Sequence, residues 1–137
     1  MQIIWGYTPE DILTSNKIVG GEIIAVKQVF SALLFKEGVQ GMCVNFVSVE
    51  KNAEVNIELF VDSEKVLEEK FSPAKAQEYY FKLVEPIIPK LKIEIILHVV
   101  AGLVTLPLSS IGTGMGFQKT ADDYQPTNHL ALGLLVP

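Results

Sequence analysis

Between Gly41 and Asp62 the chain carries its clearest pattern. Val55, Ile57, Leu59 and Val61 alternate with Asn56, Glu58 and Phe60. A period of two sends successive side chains to opposite faces, so this stretch predicts a strand with one buried face. The preceding run, Gly41-Met42-Cys43-Val44-Asn45-Phe46-Val47-Ser48-Val49, is equally rich in β-formers, and the polar break Glu50 to Glu54 separates the two. The spacing predicts an antiparallel hairpin joined by that break.

The rest of the chain follows the same rhythm. Gln2 to Tyr7 reads as a short strand, and Thr8-Pro9-Glu10-Asp11 as a turn. From Glu22 two patterns compete. Ile24, Val26 and Phe30 fit a strand from Glu22 to Phe30, followed by a short helical turn from Ser31 to Lys36 that Gly38 stops. Val26, Val29, Phe30, Leu33 and Leu34 also fit one helical stripe, so a helix from Glu22 to Phe35 is the alternative. Lys65 to Phe71 mixes Val66 and Phe71 with acids, as an edge strand does. Tyr79 to Val84 is a strand ended by Pro86 and Pro89. Leu91 to Val100 is a strand that bends at Ala101-Gly102 into Leu103 to Leu108, and His129 to Val136 is the last strand. Many short strands with regular turn signals predict one all-β domain over residues 1–137, a sandwich or barrel.

Composition narrows the function more than the fold. Nearly half of the chain is hydrophobic (49%), mean hydropathy is +0.33, and net charge is -5. All eleven basic residues are lysine. Without arginine the chain lacks the planar fork that grips phosphate and guanine edges, so nucleic acid is not an expected partner. Cys43 is the only cysteine, which excludes an internal disulfide and predicts a small buried hydrophobe. The start, Met1-Gln2-Ile3-Ile4-Trp5, has no basic n-region or apolar h-region, so no signal peptide is expected. The most apolar window, Ile95 to Leu108, falls well short of the roughly 20 residues that a spanning helix needs.

One further ordering stands out. Gly21 to Phe30 leads into Leu33-Leu34-Phe35-Lys36-Glu37-Gly38, then Val44-Asn45-Phe46, then Ile57-Glu58-Leu59-Phe60-Val61. Leu91 to Val100 then leads to Thr105-Leu106-Pro107-Leu108 and a glycine-rich loop. Over roughly residues 20–136 this resembles the jelly-roll adhesin modules of Bacteroidetes cell-surface proteins, the cleaved adhesin and haemagglutinin modules. The resemblance implies an antiparallel jelly-roll β-sandwich that binds surfaces or partners. Many of those modules bind calcium, but here the only acidic pair in the C-terminal region is Asp122-Asp123.

Candidate chemistry is sparse. Gly112, Gly114 and Gly116 lack the lysine of a phosphate loop and read as a β-β connection. Asp122 and Asp123 are too few for calcium, which takes six or more oxygens. His98, within the most apolar strand, reads as a satisfied buried imidazole, and His129 has no partner in its pattern. Tyr79 and Tyr80 read as core. Trp5 and Tyr124 are the better candidates for a platform that stacks sugar rings. No catalytic residue, metal site or cofactor is expected.

Charge layout says more. Only Lys119, Asp122 and Asp123 follow Glu94, so the C-terminal third is almost neutral. Such a stretch is either core or covered by other subunits. If covered, Met115, Phe117, Tyr124 and Leu130 are the expected interface residues. The leading expectation is therefore a non-enzymatic structural protein of a virion, such as a phage capsid decoration or head-fibre protein, that self-associates or docks on a larger assembly. The alternative is an extracellular or cell-surface adhesin or carbohydrate-binding module cut from a longer chain.

Overall fold

A computed structural model describes residues 2–6, 17–19, 25–46, 48–105 and 132–137. These residues form strands β1 (Gln2–Trp5), β2 (Lys17–Val19), β3 (Ala25–Ser31), β4 (Val39–Asn45), β5 (Ser48–Val49), β6 (Glu54–Val61), β7 (Glu64–Phe71), β8 (Glu78–Ile87), β9 (Lys92–Ala101), β10 (Leu103–Thr105) and β11 (Leu132–Val136), with a single 3-10 turn at Ala32–Leu34. Two four-stranded sheets result, ordered β1-β11-β4-β8 and β3-β9-β6-β7, beside a three-stranded ribbon ordered β2-β10-β5. Every pairing is antiparallel. The two large sheets share one core. Met42, Val44, Leu132 and Leu134 enter it from one side and Ile57, Leu59, Ile95 and Leu97 from the other. The chain is thus an all-β antiparallel sandwich, as the strand pattern predicts.

The pairing is nested. Apart from the ribbon, eight strands make up the two sheets. Taken in chain order, the first pairs with the last (β1 with β11), the second with the seventh (β3 with β9), the third with the sixth (β4 with β8) and the fourth with the fifth (β6 with β7). Two further pairings, β11 with β4 and β9 with β6, complete the sheets.

The alternation in β6 has the expected faces. Val55, Ile57, Leu59 and Val61 are buried, and Asn56, Glu58 and Phe60 lie outward and are only partly covered. The contested segment is a strand followed by a helical turn, not a long helix. The Ser31 side chain accepts the backbone N–H of Leu33 at 3.3 Å, which caps the turn. Gly38, at φ +103°, supplies the left-handed residue that redirects the chain into β4.

Two expectations are corrected. The hairpin across Glu50 to Glu54 does not form. β4 lies in one sheet and β6 in the other, and Ser48 and Val49 pair with Thr105 and Val104 of β10. The polar break is a crossing between sheets, and the hairpin partner of β6 is β7. Their connection is the two-residue turn Asp62-Ser63, both at positive φ (51° and 70°), whose twist matches that of the flanking strands. Second, β8 does not stop at Val84 but continues through Pro86 to Ile87. Among the described residues β8 is an edge strand, and an edge can accept a residue with no N–H to donate.

Two devices close the sandwich. Phe46, Phe71, Tyr79 and Phe81 stack with centroids 5.1 to 6.4 Å apart along the side where β7 and β8 end their sheets. At one end, the Asp62 carboxylate accepts the backbone N–H groups of Lys90, Leu91 and Lys92 at 2.9, 2.7 and 3.1 Å, tying the β6–β7 turn to the β8–β9 loop. These bonds hold its carboxyl below the usual range, that of Lys90 contributing most.

Ile57→Ala is expected to cost about 2–5 kcal/mol, and the outward Lys70→Ala under about 0.5 kcal/mol. Equal losses in a urea titration would overturn the register. The depressed carboxyl of Asp62 binds protons less readily folded than unfolded, so its contribution is present above the unfolded carboxylate range of about 4. That contribution is lost as pH falls through the folded value. Asp62→Ala should therefore lower the melting temperature at neutral pH and narrow its gap to wild type in acid. A gap that does not change with pH would refute the role of the charge.

Candidate functional site

The outward face of the β3-β9-β6-β7 sheet carries the densest polar arrangement among the described residues. Inward residues Ile93, Ile95, Leu97 and Val99 leave Glu94, Ile96, His98 and Val100 pointing out from β9. Register then sets His98 beside Asn56, and Asn56 beside Lys70. His98 Nε2 lies 3.1 Å from Glu58 Oε1. Lys65 Nζ donates to Glu58 at 3.3 Å and to Glu68 at 3.2 Å, and Asn56 Nδ2 donates to Glu68 at 3.0 Å. The bond from Asn56, followed by that from Lys65, holds the Glu68 carboxyl down, while Glu68 and then Glu58 push the Lys65 ammonium up. Nearer β3, Glu94 sits between Lys27 at 2.8 Å and Lys92 at 3.5 Å, and the bond from Lys27 is the main cause of its lowered carboxyl.

Beside this network a cleft of about 550 Å³ is lined by Asn56, Lys70, Phe71, Ser72, His98 and Val100, with Glu54 and Val55. Phe71 and Val100 give it apolar wall, and Lys70, Ser72 and His98 give it hydrogen-bonding rim. Asn56 Oδ1 is buried without a partner. The chemistry of the cleft suits reversible binding of a hydroxyl-bearing ligand with one flat or aliphatic face.

The apolar composition of β9 predicts a buried His98, and the structure corrects this. Its side chain is about two-fifths exposed (43%) and paired with Glu58. The strand parity that buries Leu97 and Val99 already turns His98 outward, a signal the apolar composition of β9 obscures. Tyr80 is likewise not core. It is half exposed, and its hydroxyl donates to Glu78 at 2.7 Å, a bond that pushes the phenol up to about 12.

Of the expected platform, Trp5 lies on β1 with its indole across Gly133 of β11. A Cβ at Gly133 would fall 2.9 Å from the ring, so glycine is needed there for the close approach. Tyr124 and the expected interface residues Met115, Phe117 and Leu130 lie outside the described residues, as do His129, Asp122, Asp123 and the glycine segment from Gly112 to Gly116. Of the neutral C-terminal stretch, β11 is buried throughout. Cys43 is fully buried, and desolvation, aided by the charge of Glu78, raises its thiol. Among the described residues no three His, Cys, Asp or Glu side chains converge to hold a metal, and no helix is long and apolar enough to cross a membrane. Comparisons with protein families, with curated proteins and with solved structures find no match to this chain.

Cys43 should react with iodoacetamide only when the chain unfolds, since the thiolate is the nucleophile and burial disfavours it. Modification in native buffer as fast as in urea, read by mass spectrometry, would place the thiol at the surface.

Proposed function

We propose that this chain is a jelly roll and a non-enzymatic structural protein of a virion, a capsid decoration, head-fibre or other accessory component. The nested pairing of eight strands carries the reading. A jelly roll is a long antiparallel hairpin rolled into two four-stranded sheets, so that first pairs with last and each inner pair nests within the next. That architecture recurs in viral capsid proteins and lectins. The fold alone does not assign a role, since one architecture hosts many. The long run of neutral sequence after Glu94 favours an assembled protein, because a lattice covers surface that a free monomer would decorate with charge. Protein partners, not nucleic acid or a cofactor, complete this reading.

If it is right, the genome that encodes the chain should carry capsid and portal genes beside it, and mass spectrometry of purified particles should detect it at stoichiometric level. Complete particles without the chain would overturn the proposal.

A second reading, a carbohydrate-binding or adhesin module, is favoured by the cleft beside His98. Polar groups at its rim and aliphatic or aromatic wall suit a sugar ring. Glycan-array screening followed by calorimetry should then find a ligand whose affinity falls about tenfold or more on His98→Ala, with the melting temperature little changed. Binding that survives both His98→Ala and Lys70→Ala would remove the cleft from the site.

A further inference from the structure

Strands β7 and β8 both end sheets, and they are guarded differently. β7 places five charged residues among its eight, Glu64, Lys65, Glu68, Glu69 and Lys70. Such an edge repels a second strand. β8 is longer, ten residues, with only Glu78, Lys82 and Glu85 charged, and Pro86 stands near its far end, clear of Glu78 to Val84. Among the described residues its only strand neighbour is β4. Where β8 keeps register with β4 its outward-facing side chains are Glu78, Tyr80 and Lys82, and beyond Lys82 the register shifts. Tyr80 is 50% exposed and Val84 100% exposed. Tyr80 stands at the centre of this regular stretch, and its half-exposed ring is covered readily by another strand.

The charges on this edge are complementary to themselves. We propose that two copies of this chain join β8 to β8, antiparallel, about a two-fold axis at Tyr80, making one eight-stranded sheet from two four-stranded ones. Opposite residues in an antiparallel pair share a face, and a two-fold axis perpendicular to the sheet sets outward residues against outward residues. With Tyr80 against its own copy, Lys82 meets the partner's Glu78 and Glu78 meets the partner's Lys82. Sliding the strands so that Lys82 sits on the axis sets like charges together. Sliding them so that Phe81 sits on the axis sets Lys82 against Tyr80 and loses both ion pairs. The register at Tyr80 is therefore selected by charge, with opposite-charge pairs favourable and like-charge pairs unfavourable across strands. Main-chain hydrogen bonds along the new seam supply the sequence-independent part of the affinity. This contact is independent of the virion reading, because the isolated chain in dilute solution displays it.

Sedimentation velocity across the micromolar range tests it. The wild type should be a dimer. Lys82→Glu makes both cross-strand pairs acid against acid, and Glu78→Lys makes both cation against cation. Each should weaken the dimer by about tenfold or more. An equimolar mixture of the two variants should regain it, because every charge then meets its opposite. Cys43 lies directly opposite Tyr80 within the chain, so the cross-link is made in a Cys43→Ala background: there Tyr80→Cys alters neither charge and should form an intermolecular disulfide under mild oxidation, since directly opposed strand residues have Cα atoms about 4.5–5.5 Å apart. A wild type that stays monomeric, a mixture that stays monomeric, or Tyr80→Cys that does not cross-link would each overturn the proposal.

Discussion

The structure depends on one pair of strands. β6 and β9 lie side by side in the middle of their sheet, and their inward residues meet in four successive apolar pairs, Val55 with Val99, Ile57 with Leu97, Leu59 with Ile95 and Val61 with Ile93. None of these side chains is more than 5% exposed. Cross-strand pairs of β-branched and aliphatic residues are the unit of sheet stabilisation, and a slip of one residue would turn all of them to water. This spine sets the register for both flanking strands. β3 docks on β9 so that Phe30 faces inward opposite Ile93, and β7 docks on β6 so that Phe71 faces inward opposite Val55.

The opposite sheet is held to this spine through shape more than through pattern. Its strands β4 and β11 send Met42, Val44, Leu132 and Leu134 into the shared core. On their outer face Gly133 and Cys43 lie opposite one another, with Trp5 folded across the glycine. The side of the sandwich between β7 and β8 is sealed by rings, and one end is tied by the three backbone bonds to Asp62. These closures are local and polar or aromatic, whereas the spine is aliphatic. A hydrophobic sandwich of this kind leaves its edges as the places where chemistry and association are decided.

The two outward faces have different characters. On the β3-β9-β6-β7 sheet, lysines and carboxylates alternate across strands so that Glu58 and Glu94 are each bracketed by cations or by the imidazole of His98. This network lies beside the rim of the cleft at Val100 and Phe71. The same charges that order the face also guard the β7 edge. β8, on the other sheet, carries fewer charges and exposes Tyr80 and Val84. The contrast between the edges lies within the two strands themselves, five charged residues among eight in β7 and three among ten in β8.

Local alternation determined much of this molecule without help from tertiary structure. The buried face of β6, the charged edge character of Lys65 to Phe71 and the burial of Cys43 are all legible in the order of residues, whereas the segment across Ala25 to Leu34 fits a helical stripe as well as the strand and turn it forms. Each depends on interactions within one strand or turn. Strand partners were not legible. The break at Glu50 to Glu54 looks the same whether it turns a hairpin or carries the chain from one sheet to the other, because a polar loop records only that the chain leaves the core. Pairing His98 with Glu58, forty positions apart, and passing Pro86 along an edge, required knowledge of which strand lies beside which. Any β-strand can hydrogen-bond any other through its backbone, so neighbours are chosen by the burial of whole faces against each other. That choice belongs to the folded chain alone.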